Sequence, residues 1–354
     1  MMDIQEITKI LKNVLHPKTG KDIVSSDIVN QLRLEENNLF FNLHVFGLNS
    51  SEKSELHFKC VQEINTIYPA LNVHVHLVND KISITAPDNN LLPQIKHIIA
   101  VGSGKGGVGK STVSVNLALA LKAAGFKTGI LDADLYGPSI PTMLGLSGKR
   151  PEVDTVNGQP KIKPLVAFGM PLISMGFIIE PEQAVVMRGP RLSGIIKQFF
   201  LDTLWPELDF LIVDLPPGTG DVQLSLVQTV QLTGAIIVTT PQEVAVVDAI
   251  KALNMFQLPS VNVPIIGVVE NMSWFTPAEN PDRKYFLFGQ GGGQKLASYG
   301  NTNVLGQVPL IQGIREGGDN GLPAYLNQQA DLIQPVFNEI AKATLLKINI
   351  HSNI

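Results

Sequence analysis

Residues 100–125, AVGSGKGGVGKSTVSVNLALALKAAG, constrain this chain more than any other stretch. Five glycines and two lysines fall within residues 102–112, between an apolar run and an apolar segment of helical spacing. Glycine loses more backbone entropy on ordering than any other residue, so such a run adds little to a packed core and signals that the main chain itself is used. Residues 104–111, GKGGVGKS, fit the phosphate-binding pattern G-x-x-x-x-G-K-[ST] in the required order of strand, loop and helix. The amides of Gly104, Lys105, Gly106, Gly107, Val108 and Gly109 are then free to turn toward phosphate oxygens. A helix starting near Lys110 adds its unpaired N–H groups and the positive end of its dipole. Lys110 is placed to neutralise the β- and γ-phosphates of a nucleotide, Ser111 to ligate magnesium and Thr112 to reach the α-phosphate.

The segments around this loop repeat one theme. Short apolar runs occur at residues 98–101, 129–131, 210–213, 235–238, 265–269 and 304–308, mostly without polar alternation. Such runs, separated by longer stretches with helical patterns, predict an α/β fold with a mostly parallel central sheet flanked by helices. Just past them come the glycine loop, Asp132 and Asp134, Asp214, Thr239 and Thr240, and Asn271. Ligands of open α/β sheets bind beyond the carboxyl ends of the strands, so these groups are expected to converge on one edge. Asp214 closes the apolar run FLIVD and suits a carboxylate that holds magnesium, with the following PPGTGD able to sense the γ-phosphate. One of Asp132 and Asp134 is expected to orient or deprotonate the attacking water.

Residues 1–86 form a separate expectation, a small α+β domain. Ile7, Ile10, Leu11 and Val14 share a helical face, as do Leu56, Cys60, Ile64 and Ile67, while Leu39, Phe41, Leu43 and Val45 and then Val73, Val75 and Leu77 alternate as in strands. The Pro- and Asn-rich residues 87–94 read as a linker and residues 95–354 as the nucleotide domain.

Bulk properties bound the partners. The net charge is −4, and with 8 Lys and Arg against 11 Asp and Glu before residue 90, and 19 against 20 after it, neither part is basic. Binding to nucleic acid or to an anionic membrane is therefore not expected. No apolar run approaches the ~18 residues of a membrane helix, and Asp3 and Glu6 stand where a signal peptide carries positive charge. A single cysteine, Cys60, excludes an intrachain disulfide and fits a reducing compartment, so the expected location is the cytoplasm.

The loop GKGGVGKS, with Lys105 following its first glycine, resembles the deviant phosphate loop of the ATPases that include the MinD, ParA, nitrogenase iron protein and Mrp families. Through DADLYGPSIPTMLG, RGPRL, LIVDLPPGTGD and ENMSWF with FGQGGGQKLA, the resemblance sharpens to the Mrp/ApbC family over residues 95–345. It implies a homodimeric magnesium-ATPase that binds an iron–sulfur cluster and passes it to apoproteins. It also implies that Lys105 crosses the dimer interface to the partner's nucleotide, that Asp134 rather than Asp132 serves the water, and that Asn271 reads adenine. The region before residue 86 resembles the small α+β domain often fused ahead of Mrp ATPases.

One departure stands out. Mrp proteins commonly hold their cluster on a C-x-x-C pair shortly after the ENMS strand, whereas this chain reads ENMSWFTPAENPDRKYFLFGQGGG and has no cysteine there. A four-iron cluster takes four thiolates or occasional substitutes, and two chains together supply only two copies of Cys60, which lies on the apolar face of its helix. His16, His44, His57, His74 and His76 form no recognisable ligand spacing. The nucleotide site thus rests on residues and the cluster on resemblance. The alternative is a MinD- or ParA-like nucleotide switch, or an ATPase that regulates a partner and carries no cluster.

Overall fold

The computed structural model describes residues 4–78 and 91–350, apart from residues 19, 25–27, 36–37, 46–47, 136, 157, 178–188, 278, 281–282 and 329. The chain divides into two compact units, Met1–Asn89 and Asn90–Ile354. Residues 87–90 of the expected linker and Arg188 of RGPRL lie outside the described residues. Leu92 is buried in the core of the second unit.

The first unit runs α1 (Ile4–Leu11), β1 (Val29–Glu35), β2 (Asn38–His44), α2 (Ser50–Ile67) and β3 (Asn72–Val78). Its sheet has the order β1-β2-β3, antiparallel between β1 and β2 and parallel between β2 and β3, with α2 as the crossover. Asn49 starts α2 with a capping box: its side chain accepts from the Glu52 amide while the Glu52 carboxylate accepts from the Asn49 amide. Ile7, Leu11, Leu39, Phe41, Leu56, Cys60 and Ile64 meet in one core, as their spacing predicts. Ile67 does not. It is the last residue of α2 and is 54% exposed, while Leu71, just past the Tyr68 cap, is the buried one.

The second unit opens with β4 (Ile95–Ser103), α3 (Lys110–Ala123), β5 (Thr128–Asp132) and the short α4 (Ile140–Met143). An exposed hairpin of β6 (Val153–Val156) and β7 (Gln159–Ile162) precedes β8 (Leu165–Ala167), β9 (Met170–Ser174) and a 3₁₀ turn at Met175–Phe177. Then follow α5 (Gly189–Asp202), β10 (Leu208–Asp214), α6 (Asp221–Thr229), β11 (Gly234–Thr239), α7 (Glu243–Gln257), β12 (Ile265–Phe275), α8 (Gly292–Tyr299), β13 (Val304–Leu310), α9 (Gln312–Asp319) and α10 (Ala330–Lys347).

Eight strands form the sheet in the order β13-β12-β11-β4-β10-β5-β9-β8, and every pairing is parallel except β8 with β9. The six apolar runs seen in the sequence are its six consecutive strands from β13 to β5. Successive residues point to opposite faces, and both faces are covered. Ile99, Val101, Ile236 and Val238 pack with Val113, Leu117 and Leu121 of α3 and with Phe337 and Ile340 of α10. Ile98, Ala100, Ala235 and Ile237 pack with Phe200 of α5, Leu226 of α6, Phe256 of α7 and Leu296 of α8. That double burial is why these strands lack polar alternation. Strands β6 to β9 escape sequence reading because they are three to five residues long and, in β6 and β7, polar and exposed.

Candidate nucleotide site at the strand ends

Strand β4 lies inside the sheet between β10 and β11, so the loop after it emerges at the centre of the carboxyl edge. Two of its glycines are required by geometry. A β-carbon on Gly104 would overlap the backbone of Asp248 in α7, and Gly109, at φ +81°, would drive one into the Asn271 amide. Gly109 is the residue before α3, and no side chain caps that helix start. The first amides of α3 therefore face the loop as anion donors.

Behind the loop sits a buried ionic cluster. The Lys110 ammonium, 6% exposed, lies 2.7 Å from Asp214 Oδ2 and 3.7 Å from Asp134 Oδ2. Asp214 is fully buried and takes three donors: Lys110 and Ser111 Oγ (2.6 Å) on Oδ2, and Ser114 Oγ (2.6 Å) on Oδ1. A buried carboxylate is tolerable only with such partners. Asp132, also fully buried, accepts from Ser174 Oγ (2.8 Å) on one oxygen and from the Asp134 amide (3.1 Å) on the other. Burial, reinforced by the negative charge of Asp214, pushes the Asp132 carboxyl up to about 8, against the opposing pull of Ser174, Lys110 and the Asp134 amide. Asp134 accepts from the Gly137 amide at 3.2 Å.

A cavity of about 390 Å³ opens over this cluster. Residues 105–107 and 109–112 line it together with Asp134, and so do Ser103, Gly137, Ser139 and Pro217, which the motif alone did not single out. Two larger hollows, about 500 Å³ beside Phe40 and His74 and about 610 Å³ beside Lys122 and Phe126, gather no buried charged groups. The 390 Å³ cavity, with the Asp214 carboxylate just behind its lining residue Ser111, fits magnesium as well as phosphate. The Ser111 hydroxyl and an Asp214 carboxylate oxygen stand 2.6 Å apart in a cluster where Asp214 and Asp134 face one ammonium, and Mg²⁺ takes oxygen ligands from one or two carboxylates plus substrate phosphates.

The protein-family model described as ParA, NUBPL iron-transfer P-loop NTPase, matches residues 94–345. A protein of Synechocystis named iron-sulfur cluster carrier protein is 42% identical over 350 residues, which cover 99% of each chain. One of the same name from Escherichia coli strain K12 is 39% identical over 332 residues, 94% of this chain and 88% of that one. The chain belongs to the iron-transfer P-loop NTPase family. This bears out the Mrp/ApbC resemblance read from its motifs. Among solved structures, a nucleotide-binding protein from Archaeoglobus fulgidus in complex with ADP superposes with a TM-score of 0.57 at 34% identity, covering 66% of this chain and 90% of that chain. The cell division ATPase MinD of Pyrococcus furiosus shares the fold, with a TM-score of 0.52 at 22% identity.

Within this NTPase, three residues expected at the nucleotide stand differently from the rest. Val108 turns its side chain into the core, 2% exposed, and offers the site only its backbone. Asn271 donates from Nδ2 to the Val108 carbonyl (2.9 Å), so its amide nitrogen braces the loop from behind. Gly104 does not line the cavity but lets the loop pass α7. Lys105 is half-buried on the cavity wall, and its ammonium has no hydrogen bond or ion pair among the described residues. Thr239 bonds to the Thr240 carbonyl and neither threonine lines the cavity.

The segment after ENMS carries no cysteine and holds one antiparallel bridge among its described residues. Phe275 and Tyr285 exchange both backbone hydrogen bonds at 2.8 Å, Lys284 lies over the Trp274 ring and Arg283 over the Tyr285 ring. Next to Asn271, the buried Glu270 accepts from the Gly293 amide at the start of α8 and from Gln307 of β13. Sequence reading missed this role, since a lone acid inside an apolar run gives no signal of its partners. Cys60 lies at 0% exposure in the first unit, and burial pushes its thiol up to about 12. Among the described residues, no group of three or more His, Cys, Asp or Glu side chains is arranged to hold a metal ion, and no helix is long and apolar enough to cross a membrane.

Proposed function

We propose that this protein is a cytoplasmic, ATP-hydrolysing homodimer that binds iron–sulfur clusters and passes them to apoproteins. The observation that carries the nucleotide part is the buried Lys110 ammonium between Asp214 and Asp134, at the floor of a glycine-lined cavity. Loop amides and Lys110 hold the triphosphate, Thr112 meets the α-phosphate, and the oxygen of the Asn271 amide accepts from adenine. Ser111 and Asp214 hold magnesium, which supplies positive charge to the phosphates. Asp134 orients the water. Water adds to the γ-phosphorus as the bond to the bridging oxygen breaks, ADP leaves with that electron pair, and the water's proton passes to the released phosphate. Lys105 of each protomer reaches the other's nucleotide, which accords with an ammonium that has no hydrogen bond or ion pair among the described residues.

The cluster part draws on the names of relatives that match this chain over nearly its whole length. A second reading has one observation in its favour. The single thiol is buried and held protonated, which suits an ATPase that drives a cluster-bearing partner without holding the cluster itself. Anaerobic reconstitution with iron and sulfide, followed by iron analysis per dimer, separates the two. Stoichiometric iron supports the carrier, and its absence leaves the partner-driving ATPase. Calorimetry without magnesium-dependent uptake of ATP would overturn both.

A further inference from the structure

We propose that Ser174 is a positioning residue for ATP hydrolysis, acting through Asp132 to fix Asp134 against the nucleotide cavity. The inference rests on the nucleotide reading above and adds to it a residue that no motif marks. Ser174 ends β9, directly opposite Asp132 in the parallel register of β5 and β9. Its hydroxyl, fully buried, donates to Asp132 Oδ2 at 2.8 Å and accepts from the Gly176 amide at 3.1 Å. The hydroxyl thus links the turn after β9, through Gly176, to the Asp132 carboxyl. The other Asp132 oxygen receives the Asp134 amide at 3.1 Å, which anchors the backbone that carries the water-orienting carboxylate.

A second contact ties the same two segments together. A β-carbon on Gly176 would stand 2.8 Å from the Pro138 side chain, so the turn after β9 packs closely on the loop that follows Asp134. That loop returns to Asp134 through the Gly137 amide and to the cavity through Ser139. Neither Ser174 nor Asp132 lines the cavity. Their influence on the reaction therefore passes through Asp134, and small displacements of such a group are felt in the transition state more than in nucleotide binding.

The test uses the full-length protein with magnesium and ATP, comparing Ser174→Ala and Ser174→Thr with the native chain. Turnover is fitted for kcat and KM separately, and ADP affinity is measured by calorimetry. Ser174→Ala is expected to lose about tenfold in kcat while KM and ADP affinity stay within about twofold, and Ser174→Thr, which keeps the hydroxyl, to recover most of the loss. Should Ser174→Ala fail to fold, Ser174→Cys, with a weaker donor of similar size, carries the same expectation of lower kcat at constant KM. Unchanged kcat in Ser174→Ala, a parallel loss of ADP affinity, or no recovery in Ser174→Thr would overturn the proposal. If the native protein itself takes up no ATP, the nucleotide reading fails first, and the two failures are told apart.

Discussion

Lys110 and Cys60 are both nearly out of reach of water, at 6% and 0% exposure, yet their surroundings have opposite consequences. Lys110 is met by carboxylates from two other strand ends, with two serine hydroxyls on Asp214 and an open cavity above. Cys60 is met by Ile7, Leu39, Leu56 and Ile64, and its thiol is pushed up to about 12, where it stays protonated. The comparison teaches that burial alone does not make a reactive group. Chemistry follows from burial together with converging partners and a way in for the ligand, and the second unit supplies all three around Lys110.

The largest expected effect comes from removing the ammonium. Lys110→Ala leaves Asp214 and its neighbouring carboxylates without a countercharge, a loss of about 3–5 kcal/mol for a buried pair broken on one side. Denaturant unfolding should register this loss, and ATP turnover should fall by about a hundredfold or more. A Lys110→Ala protein that unfolds and hydrolyses like the native one would erase the contrast with Cys60. Next in size is Lys105→Ala. Its ammonium has no hydrogen bond or ion pair among the described residues, so stability should stay within about 0.5 kcal/mol. Turnover should drop by about a hundredfold if the group acts across the dimer as charge develops on the phosphates. Native turnover in this variant, measured at concentrations where the dimer forms, would remove Lys105 from the reaction.

The smallest effect belongs to Cys60. Its folded thiol lies above its ordinary value of 9.0, so the native state holds the proton more tightly than the unfolded one. The associated stability is fully present below pH 9.0 and is lost as pH rises toward about 12. Alkylation at pH 8 should therefore proceed only as the first unit unfolds, and Cys60→Ala should cost about 1 kcal/mol with ATP turnover unchanged. Rapid alkylation of the native protein, or loss of reconstituted iron in Cys60→Ala, would sharpen the comparison in the other direction and make Cys60 a ligand.

Much of the second unit is legible in the sequence because its determinants are local. Six apolar runs without polar alternation need two covered faces, and residues 104–111 carry the loop's glycines, lysine and hydroxyl at fixed spacing on a strand-to-helix turn. What stayed hidden depends on partners far along the chain. Ser174 reaches Asp132 only because β9 lies beside β5, and Ser114 reaches Asp214 across 100 positions. The Asn271 amide nitrogen braces the loop only because the fold brings it to the Val108 carbonyl, 163 positions away.

The amino-acid sequence by itself determined six consecutive strands of the sheet, the phosphate loop and the absence of the usual cysteine pair, since each follows from residue type and near-neighbour spacing. Only the tertiary structure decided which carboxyl is pushed up by burial, which amide braces the loop and which serine stands behind the acidic turn. Those outcomes depend on desolvation and on hydrogen-bond geometry between strands, and neither exists until the sheet has assembled.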